Sequence, residues 1–145
     1  MDDFVVRRAK ITDAPAVAGL SGVLGYPVDS ETMQRRLVQL VGHDHHVIFV
    51  ADSATTLAGW IHGAERNLLV VGRIVEICGL VVAVGQRGNG LGRRLIGAVG
   101  QWARDRGFDE VSVRSNVARP ESHPFYEKLG FTRTKTQHVY RKKLD

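Results

Sequence analysis

The sequence predicts a single α/β domain in which a mixed β-sheet carries helices on both faces. The chain has 145 residues, the usual length of one domain. Strand-type and helix-type patterns alternate from one end to the other. Hydrophobic residues make up 43% of the chain, enough for a sizeable core. No repeat, low-complexity segment or Pro/Gly linker interrupts this pattern, so we expect one domain over residues 1–145.

The predicted elements follow the order β-α-α-β-β-β-α-β-α-β-β. The strands are predicted from runs rich in β-branched and aromatic residues. They cover about 4–8, 46–51, 57–64, 74–84, 110–114, 131–134 and 137–141. The helices are predicted from apolar periodicity and from flanking caps and glycines. They cover about 13–24, 30–41, 90–106 and 120–129.

Charge and cysteine content limit the classes of function. The net charge of +5 fits an anionic small ligand or a nucleic acid, and charge alone does not separate the two. The lone Cys78, predicted to lie in the core, excludes an intrachain disulfide. The chain begins with acidic residues and has no apolar run long enough for a signal or a membrane span. We therefore expect a cytoplasmic protein that does not contact a membrane.

The most informative segment lies between the strand at 74–84 and the helix at 90–106. Three glycines, Gly88, Gly90 and Gly92, alternate over five residues at the predicted start of the helix. Glycine permits positive φ and close approach of a ligand, and free N–H groups at a helix start favour phosphate. Arg87 and Arg93 add positive charge. This pattern predicts a pyrophosphate cradle, and the competing interpretation is a glycine-rich turn without a ligand.

Two common phosphate loops do not fit this spacing. In the Rossmann pattern the third glycine stands one residue later than Gly92 does here. The Walker pattern places Lys and then Ser or Thr after its glycines, whereas Gly92 is followed by Arg93.

Two motifs resemble a known family. The pattern Arg87-x-x-Gly90-x-Gly92 after a strand is similar to the acetyl-CoA signature of the GNAT acetyltransferases. The segment from Phe125 to Phe131 resembles that family's Phe-Tyr-Glu-Lys-Leu-Gly-Phe segment. The resemblance implies a GNAT-like, mostly antiparallel mixed sheet, acetyl-CoA as co-substrate, and N-acetyltransferase activity.

The resemblance also implies which residues contact acetyl-CoA. The strand segment before the loop corresponds to the family's pantetheine-binding strand. Many members have an asparagine seven residues before the tyrosine. That position is Arg119 here, and Asn116 stands ten residues before Tyr126. The implied cofactor-binding set is Leu80, Val81, Val82, Arg87, Gly88, Asn89, Gly90, Leu91, Gly92, Arg93 and, in the asparagine's role, Asn116.

Glu76 is the candidate general base. It stands six residues before Val82, so regular alternation puts both side chains on one face of the strand. Burial disfavours the charged form of a carboxylic acid, which suits a group that must accept a proton. Some GNAT enzymes have a similarly placed strand glutamate as base, often through water. The alternative is a carboxylate paired with Arg73 or another cation.

Tyr126 is the candidate general acid. The resemblance places this tyrosine near the sulfur of coenzyme A, where its hydroxyl protonates the leaving thiolate. The alternative is a core aromatic residue beside Phe125 and Phe131.

We expect no metal and no covalent cysteine intermediate. His43, His45 and His46 lie in a polar segment that is more typical of a solvated loop than of a zinc site. No histidine is tied by sequence to Cys78, so an acetyl-cysteine has no support.

The predicted function is acetyl transfer from acetyl-CoA to a primary amine by direct attack in a ternary complex. The alternative is an acyl-CoA-binding module without catalysis, and a nucleic-acid-binding protein ranks last because no recognition motif supports it. The acceptor is a small molecule or a peptide that the sequence does not identify. Many GNAT relatives dimerise, so a homodimer is one expected state.

Overall fold

The computed structural model describes residues 3–115 and 122–145. The chain divides into two compact units, Met1–Arg114 and Ser115–Asp145, which are described separately. Among the described helices, none is both long enough and apolar enough to cross a membrane.

Among the described residues, the first unit holds a sheet, three α-helices and two short 3-10 helices (Ile11–Asp13 and Val84–Gln86), and the second holds one short α-helix. The strands are β1 (Val5–Arg8), β2 (His46–Asp52), β3 (Leu57–Leu68), β4 (Gly72–Val82) and β5 (Ser112–Val113). The helices are α1 (Ala14–Val23), α2 (Ser30–Leu40), α3 (Leu91–Asp105) and α4 (Ser122–Lys128).

The five strands form one sheet in the order β1-β2-β3-β4-β5. The first four pair antiparallel and β5 pairs parallel to β4, which confirms the predicted mixed and mostly antiparallel sheet. The third strand extends four residues beyond its predicted end at residue 64. Glu65, Arg66 and Asn67 are polar, and pairing with β4 as far as Leu68 overrides their weak strand propensity.

Helices cover both faces of the sheet, as predicted. On one face, Val17 of α1 and Leu37 of α2 pack in a buried cluster with Ile48 and Val50 of β2. Side chains alternate between faces along a strand, so even-numbered positions of β2 and β3 point toward α1 and α2. Odd-numbered positions of β3 point toward α3.

Two glycines of β3 allow α3 to lie close to the sheet. A Cβ at Gly59 would lie 3.2 Å from Cδ1 of Leu95, and one at Gly63 would lie 2.9 Å from Cγ1 of Val99. Leu95 and Val99 are fully buried and stand four residues apart, so they occupy one face of the helix. This packing fixes α3, and with it the loop at its N-terminus.

A β-bulge in β4 corrects one prediction. His62 of β3 pairs with Gly79, but the next residue, Gly63, pairs with Ile77, so Cys78 is an extra residue in β4. A bulge shifts the alternation of side chains by one position. Glu76 therefore shares its face with Val81 and not with Val82, and the prediction from regular alternation was wrong.

The bulge also explains where the cysteine lies. Cys78 is exposed, so the prediction that it belongs to the core was wrong. An extra residue in a bulge has no cross-strand partner to cover it.

The two strands predicted at 131–134 and 137–141 are not formed. Residues 131–145 are all described and contain neither strand nor helix. Val139, Tyr140 and Leu144 are 73%, 89% and 89% exposed. Two strands need a neighbouring sheet or a packed face for stability, and within the described chain no strand pairs with this segment.

A buried carboxylate ties the end of α3 to the β3–β4 hairpin. The side chain of Glu65 is only 3% exposed and accepts hydrogen bonds from Arg106 (2.8 Å), Arg73 (2.8 Å) and His45 (3.0 Å). Arg106, then Arg73 and His45, lower the pKa of this carboxyl from 4.5 to about 2. Because the folded pKa is depressed, the carboxylate stabilises the fold above about pH 4.5, and this stabilisation is lost as the pH falls toward about 2.

We predict that Glu65→Gln destabilises the protein by about 3 kcal/mol at pH 7, because two guanidinium groups lose their buried counter-charge. Urea unfolding between pH 3 and pH 7 measures the effect, and the difference between wild type and variant should shrink toward acid pH. Glu31→Gln is the matched control, since the Glu31 side chain is 86% exposed and its pair with Arg35 spans 3.9 Å. Equal stability of the Glu65 variant and the control would contradict the proposed anchoring role.

Candidate functional site

The glycine-rich loop joins the end of β4 to the start of α3, as predicted. Gly88 and Gly90 have φ values of 87° and 78°, and Gly90 is the N-cap of α3. A Cβ at Gly90 would meet nothing within 4 Å, so the backbone conformation rather than crowding requires glycine here. No side chain in the described part of the chain caps this helix end. Its first N–H groups therefore remain free to bind an anion.

The arginines around this loop differ in their contacts. Arg94 donates to the backbone carbonyl of Phe4 (2.7 Å) and so anchors α3 to the start of the sheet. Arg87 is exposed and makes only a long contact with the carbonyl of Val82 (3.4 Å). Arg93 is also exposed. Arg87 and Arg93 can therefore offer positive charge to a ligand at the helix start.

The edge of β4 next to the loop is open. Pairing between β4 and β5 is limited to Glu76 with Ser112 and Ile77 with Val113. Beyond Ile77, no described strand pairs with this edge of β4 along Leu80–Val82. Unpaired backbone groups at a strand edge can bind an amide-bearing ligand. The predicted pantetheine-binding residues lie at this edge.

Glu76 lies near that edge and is paired with two arginines. It is 7% exposed, and its carboxylate accepts a hydrogen bond from Nη1 of Arg66 (2.6 Å) and forms an ion pair with Nε of Arg114 (3.0 Å). The sequence also allowed a pair between Glu76 and Arg73 or another cation. The cations are Arg66 and Arg114, whereas Arg73 binds Glu65. Each carboxylate oxygen keeps a second lone pair that can accept a proton or contact an ammonium group.

Two residues that the sequence did not single out share the face of Glu76. Trp60 and His62 occupy alternate positions of β3, opposite Val81 and Gly79. The indole ring of Trp60 lies over Gly79, where a Cβ would be 2.9 Å from the ring. The two-residue spacing of Trp60 and His62 is a sequence signal for a shared face, but it does not reveal that the bulge adds Glu76 to it.

His62 is held by a second histidine. Its Nε2 lies 2.9 Å from Nδ1 of His46, and the two rings are stacked with centroids 5.2 Å apart. Burial, and then the charge of His46, lowers the pKa of His62 from 6.5 to about 4. His62 is therefore neutral at physiological pH.

The predicted solvated histidine segment is confirmed only in part. His43 and His45 are exposed, but His46 is half-buried at the start of β2 and contacts His62. His45 bonds Glu65 on the opposite side of the sheet. The described residues contain no group of three or more His, Cys, Asp or Glu side chains that could hold a metal ion.

The thiol of Cys78 is poorly suited to be a nucleophile. Partial desolvation, and then the charge of Glu76, raises its pKa above 9.0 and outweighs the opposing effect of Arg66 and Arg114. A thiol with a raised pKa is protonated at neutral pH, and the thiolate is the reactive form.

Tyr126 belongs to the second unit, on α4. Its ring meets Phe125 and Phe131 edge-on, with centroids 5.1 Å and 5.6 Å away. Burial raises the pKa of the Tyr126 hydroxyl above 10.0, so this group carries a proton at neutral pH. Asn116 and Arg119, the two candidates for the asparagine role, lie outside the described residues.

Residues 17–131 match the model of the acetyltransferase (GNAT) family. The N-acetyltransferase YhdJ of Bacillus subtilis (strain 168) is 30% identical over 106 residues, which cover 72% of this chain and 75% of that protein. Aminoglycoside N(6')-acetyltransferase type 1 of Stenotrophomonas maltophilia is 28% identical over 145 residues, covering 97% and 94%.

A solved structure has the same fold. Aminoglycoside N-acetyltransferase AAC(6')-Iy in complex with CoA aligns with a TM-score of 0.88 at 22% identity, and the match covers 99% of this chain and 97% of that one.

Proposed function

This chain belongs to the acetyltransferase (GNAT) family, and we propose that it transfers an acetyl group from acetyl-CoA to a primary amine by direct attack in a ternary complex. Family membership makes the chain an acyltransferase. The observation that carries the proposal is the uncapped start of α3, with Gly88 and Gly90 at positive φ, beside the open edge of β4.

In this proposal the loop and the strand edge hold acetyl-CoA. The phosphates lie on the free N–H groups from Gly88 to Arg93, and Arg87 and Arg93 supply charge. The pantetheine amides bind the backbone of Leu80–Val82. Acetyl-CoA supplies a thioester that an amine can attack. Holding both substrates in one geometry accounts for a large part of the rate enhancement.

The proton transfers are assigned to Glu76 and Tyr126. Glu76 accepts a proton from the ammonium group of the acceptor, directly or through water, and the free amine that results attacks the thioester carbon. Tyr126 donates a proton to the thiolate that leaves, and its raised pKa keeps that proton available at neutral pH. The protonated thiol of Cys78 supports direct attack rather than an acetyl-cysteine intermediate.

The acceptor is proposed to be a small cationic amine. Two relatives, the Stenotrophomonas maltophilia enzyme and AAC(6')-Iy, are named as aminoglycoside acetyltransferases, and both match nearly the whole chain. The competing proposal is an acyl-CoA-binding module without catalysis. Release of free CoA thiol from acetyl-CoA over a panel of amines separates the two, because the module would release none. A cytoplasmic location and a homodimer stay predictions.

We predict that Gly90→Val abolishes CoA binding. Valine is strained at a φ of 78°, and its side chain would occupy the space in front of the helix start. Gly107→Val is the matched control, since Gly107 has a φ of 90° at the other end of α3. Calorimetry with CoA should show binding lost in the first variant and retained in the second, with similar losses in melting temperature. Equal CoA affinity in both variants would place the cofactor elsewhere.

We predict that Tyr126→Phe lowers kcat about 100-fold with little change in the KM of acetyl-CoA, as expected for loss of a general acid. Tyr140→Phe is the control because Tyr140 is 89% exposed. Steady-state kinetics with both variants measures the effect. A kcat near that of wild type for Tyr126→Phe would limit this residue to packing against Phe125 and Phe131.

We predict that Glu76→Gln slows the reaction most at low pH. Without the base, the acid limb of the kcat/KM profile should move to higher pH, and activity should recover where the amine is already deprotonated. The profile is measured from pH 6 to pH 10 beside Glu31→Gln, whose carboxylate lies on an exposed part of α2. An unchanged acid limb excludes Glu76 as base. A uniform loss at all pH values indicates that its pairs with Arg66 and Arg114 are structural.

A further inference from the structure

His62 has a nitrogen atom that the fold does not use. Its Nε2 is engaged by His46 at 2.9 Å. Its Nδ1 has no hydrogen-bond partner among the described residues. This atom is not fully buried, so it is accessible from solvent. The pair with His46 fixes the plane of the ring and therefore the direction in which Nδ1 points.

The tautomer determines what this nitrogen can do. A neutral imidazole has one N–H donor and one acceptor nitrogen. When Nε2 of His62 donates to Nδ1 of His46, Nδ1 of His62 has a free lone pair. An ammonium group has three donors and no acceptor, so this tautomer is complementary to a protonated amine.

Two groups next to each other on this face, His62 and Trp60, can contact a cation without carrying charge themselves. His62 and Ala64 are successive positions on one face of β3, about 7 Å apart along the strand. Glu76 pairs with Ala64, so its carboxylate and His62 belong to the same surface. The ring of Trp60 lies on the other side of His62 and is half-buried. The aromatic ring and the acceptor nitrogen of the neutral imidazole can both contact an ammonium group, whereas the charge of Glu76 is already balanced by Arg66 and Arg114.

We propose that His62 binds the acceptor, accepting a hydrogen bond at Nδ1 from the amine that is acetylated, with Trp60 as the neighbouring wall. This inference rests on the proposed function. In this proposal the acceptor binds the face of β3 and β4 that carries Glu76, at the level of the bulge, where His62 pairs with Gly79. His46 is then a positioning residue, which holds the imidazole of His62 in the required orientation and tautomer.

Two substitutions at His62 separate this role from a structural one. In Gln the side-chain amide lies near the position of Nε2, so His62→Gln keeps a partner for His46 and removes the group at Nδ1. In Asn the amide lies near the position of Nδ1, so His62→Asn does the reverse. His45→Gln is the matched control, because His45 is the neighbour of His46 in sequence but bonds Glu65 on the opposite side of the sheet.

Steady-state kinetics is measured with neamine, glucosamine 6-phosphate and spermidine as acceptors, and the amine that wild type acetylates fastest is used for the variants. We expect His62→Gln to raise the KM of that acceptor about tenfold or more, the loss typical of a hydrogen bond to a charged group. The KM of acetyl-CoA should stay within about twofold of wild type. His62→Asn keeps a group near Nδ1 but loses the bond to His46, so its acceptor KM should rise less than that of His62→Gln, and His45→Gln should keep the acceptor KM within about threefold.

The opposite order, in which His62→Asn is impaired and His62→Gln is not, would overturn the proposal and leave only the structural bond to His46. A rise in the KM of acetyl-CoA equal to that of the acceptor would also overturn it. Failure of the proposed function looks different, since wild type would then release no CoA thiol with any of the amines.

A second measurement does not depend on turnover. The imidazole ¹⁵N resonances of CoA-bound wild type are recorded with and without the acceptor chosen in the kinetic panel, and His62→Asn identifies the His62 signals. We expect Nδ1 of His62 to shift on addition of that acceptor while the signals of His45 stay in place. Unchanged His62 signals at concentrations that saturate turnover would overturn the proposal.

Discussion

The arrangement of the candidate site depends on one extra residue in β4. With regular pairing, every side chain of β4 before the bulge would point to the opposite face, and Glu76 would lie under α3. Cys78 is the extra residue of β4 between the paired positions His62–Gly79 and Gly63–Ile77. The carboxylate therefore lies on the face of Trp60 and His62, while the apolar side of β3 and β4 remains available to α3. A strand can thus carry a polar site on one face at the point where its other face is packed against a helix.

Two buried carboxylates show how this sheet accommodates charge. Glu65 and Glu76 lie on opposite faces of the β3–β4 pair, and each is bound by two arginines. Two guanidinium groups against one carboxylate leave a surplus positive charge at each cluster. Part of the chain's basic excess is therefore structural rather than a sign of an anionic partner. Burial without such partners would disfavour both ionised carboxylates.

Much of this arrangement could be predicted from sequence, and the exceptions have physical causes. The loop from Gly88 to Arg93 and the amphipathic helix after it are local patterns, and the structure places both as predicted. The bulge is a property of two paired strands: Gly79 is a signal for it in the sequence of β4, but the register that makes Cys78 the extra residue depends on β3. The contact between His46 and His62 joins residues 16 positions apart, so it depends on the register of β2 with β3. The final strands were predicted from composition, which does not supply a partner strand.

The two faces of β3 have different roles in the proposed acyl transfer: one positions the helix that would bind the cofactor, and the other carries the polar groups proposed to bind the acceptor. Gly59 and Gly63 keep the α3 face smooth, so the helix lies close and its free N-terminus is fixed beside the end of β4. The opposite face carries the polar groups, where an aromatic ring and a neutral imidazole stand beside a carboxylate. A neutral imidazole matters at this position because a protonated one would repel a cationic acceptor and add a third positive charge near Arg66 and Arg114. Burial of His62 against β2 prevents this, since it lowers the pKa to about 4. The packing of His62 within the sheet therefore keeps its imidazole uncharged on the proposed acceptor surface.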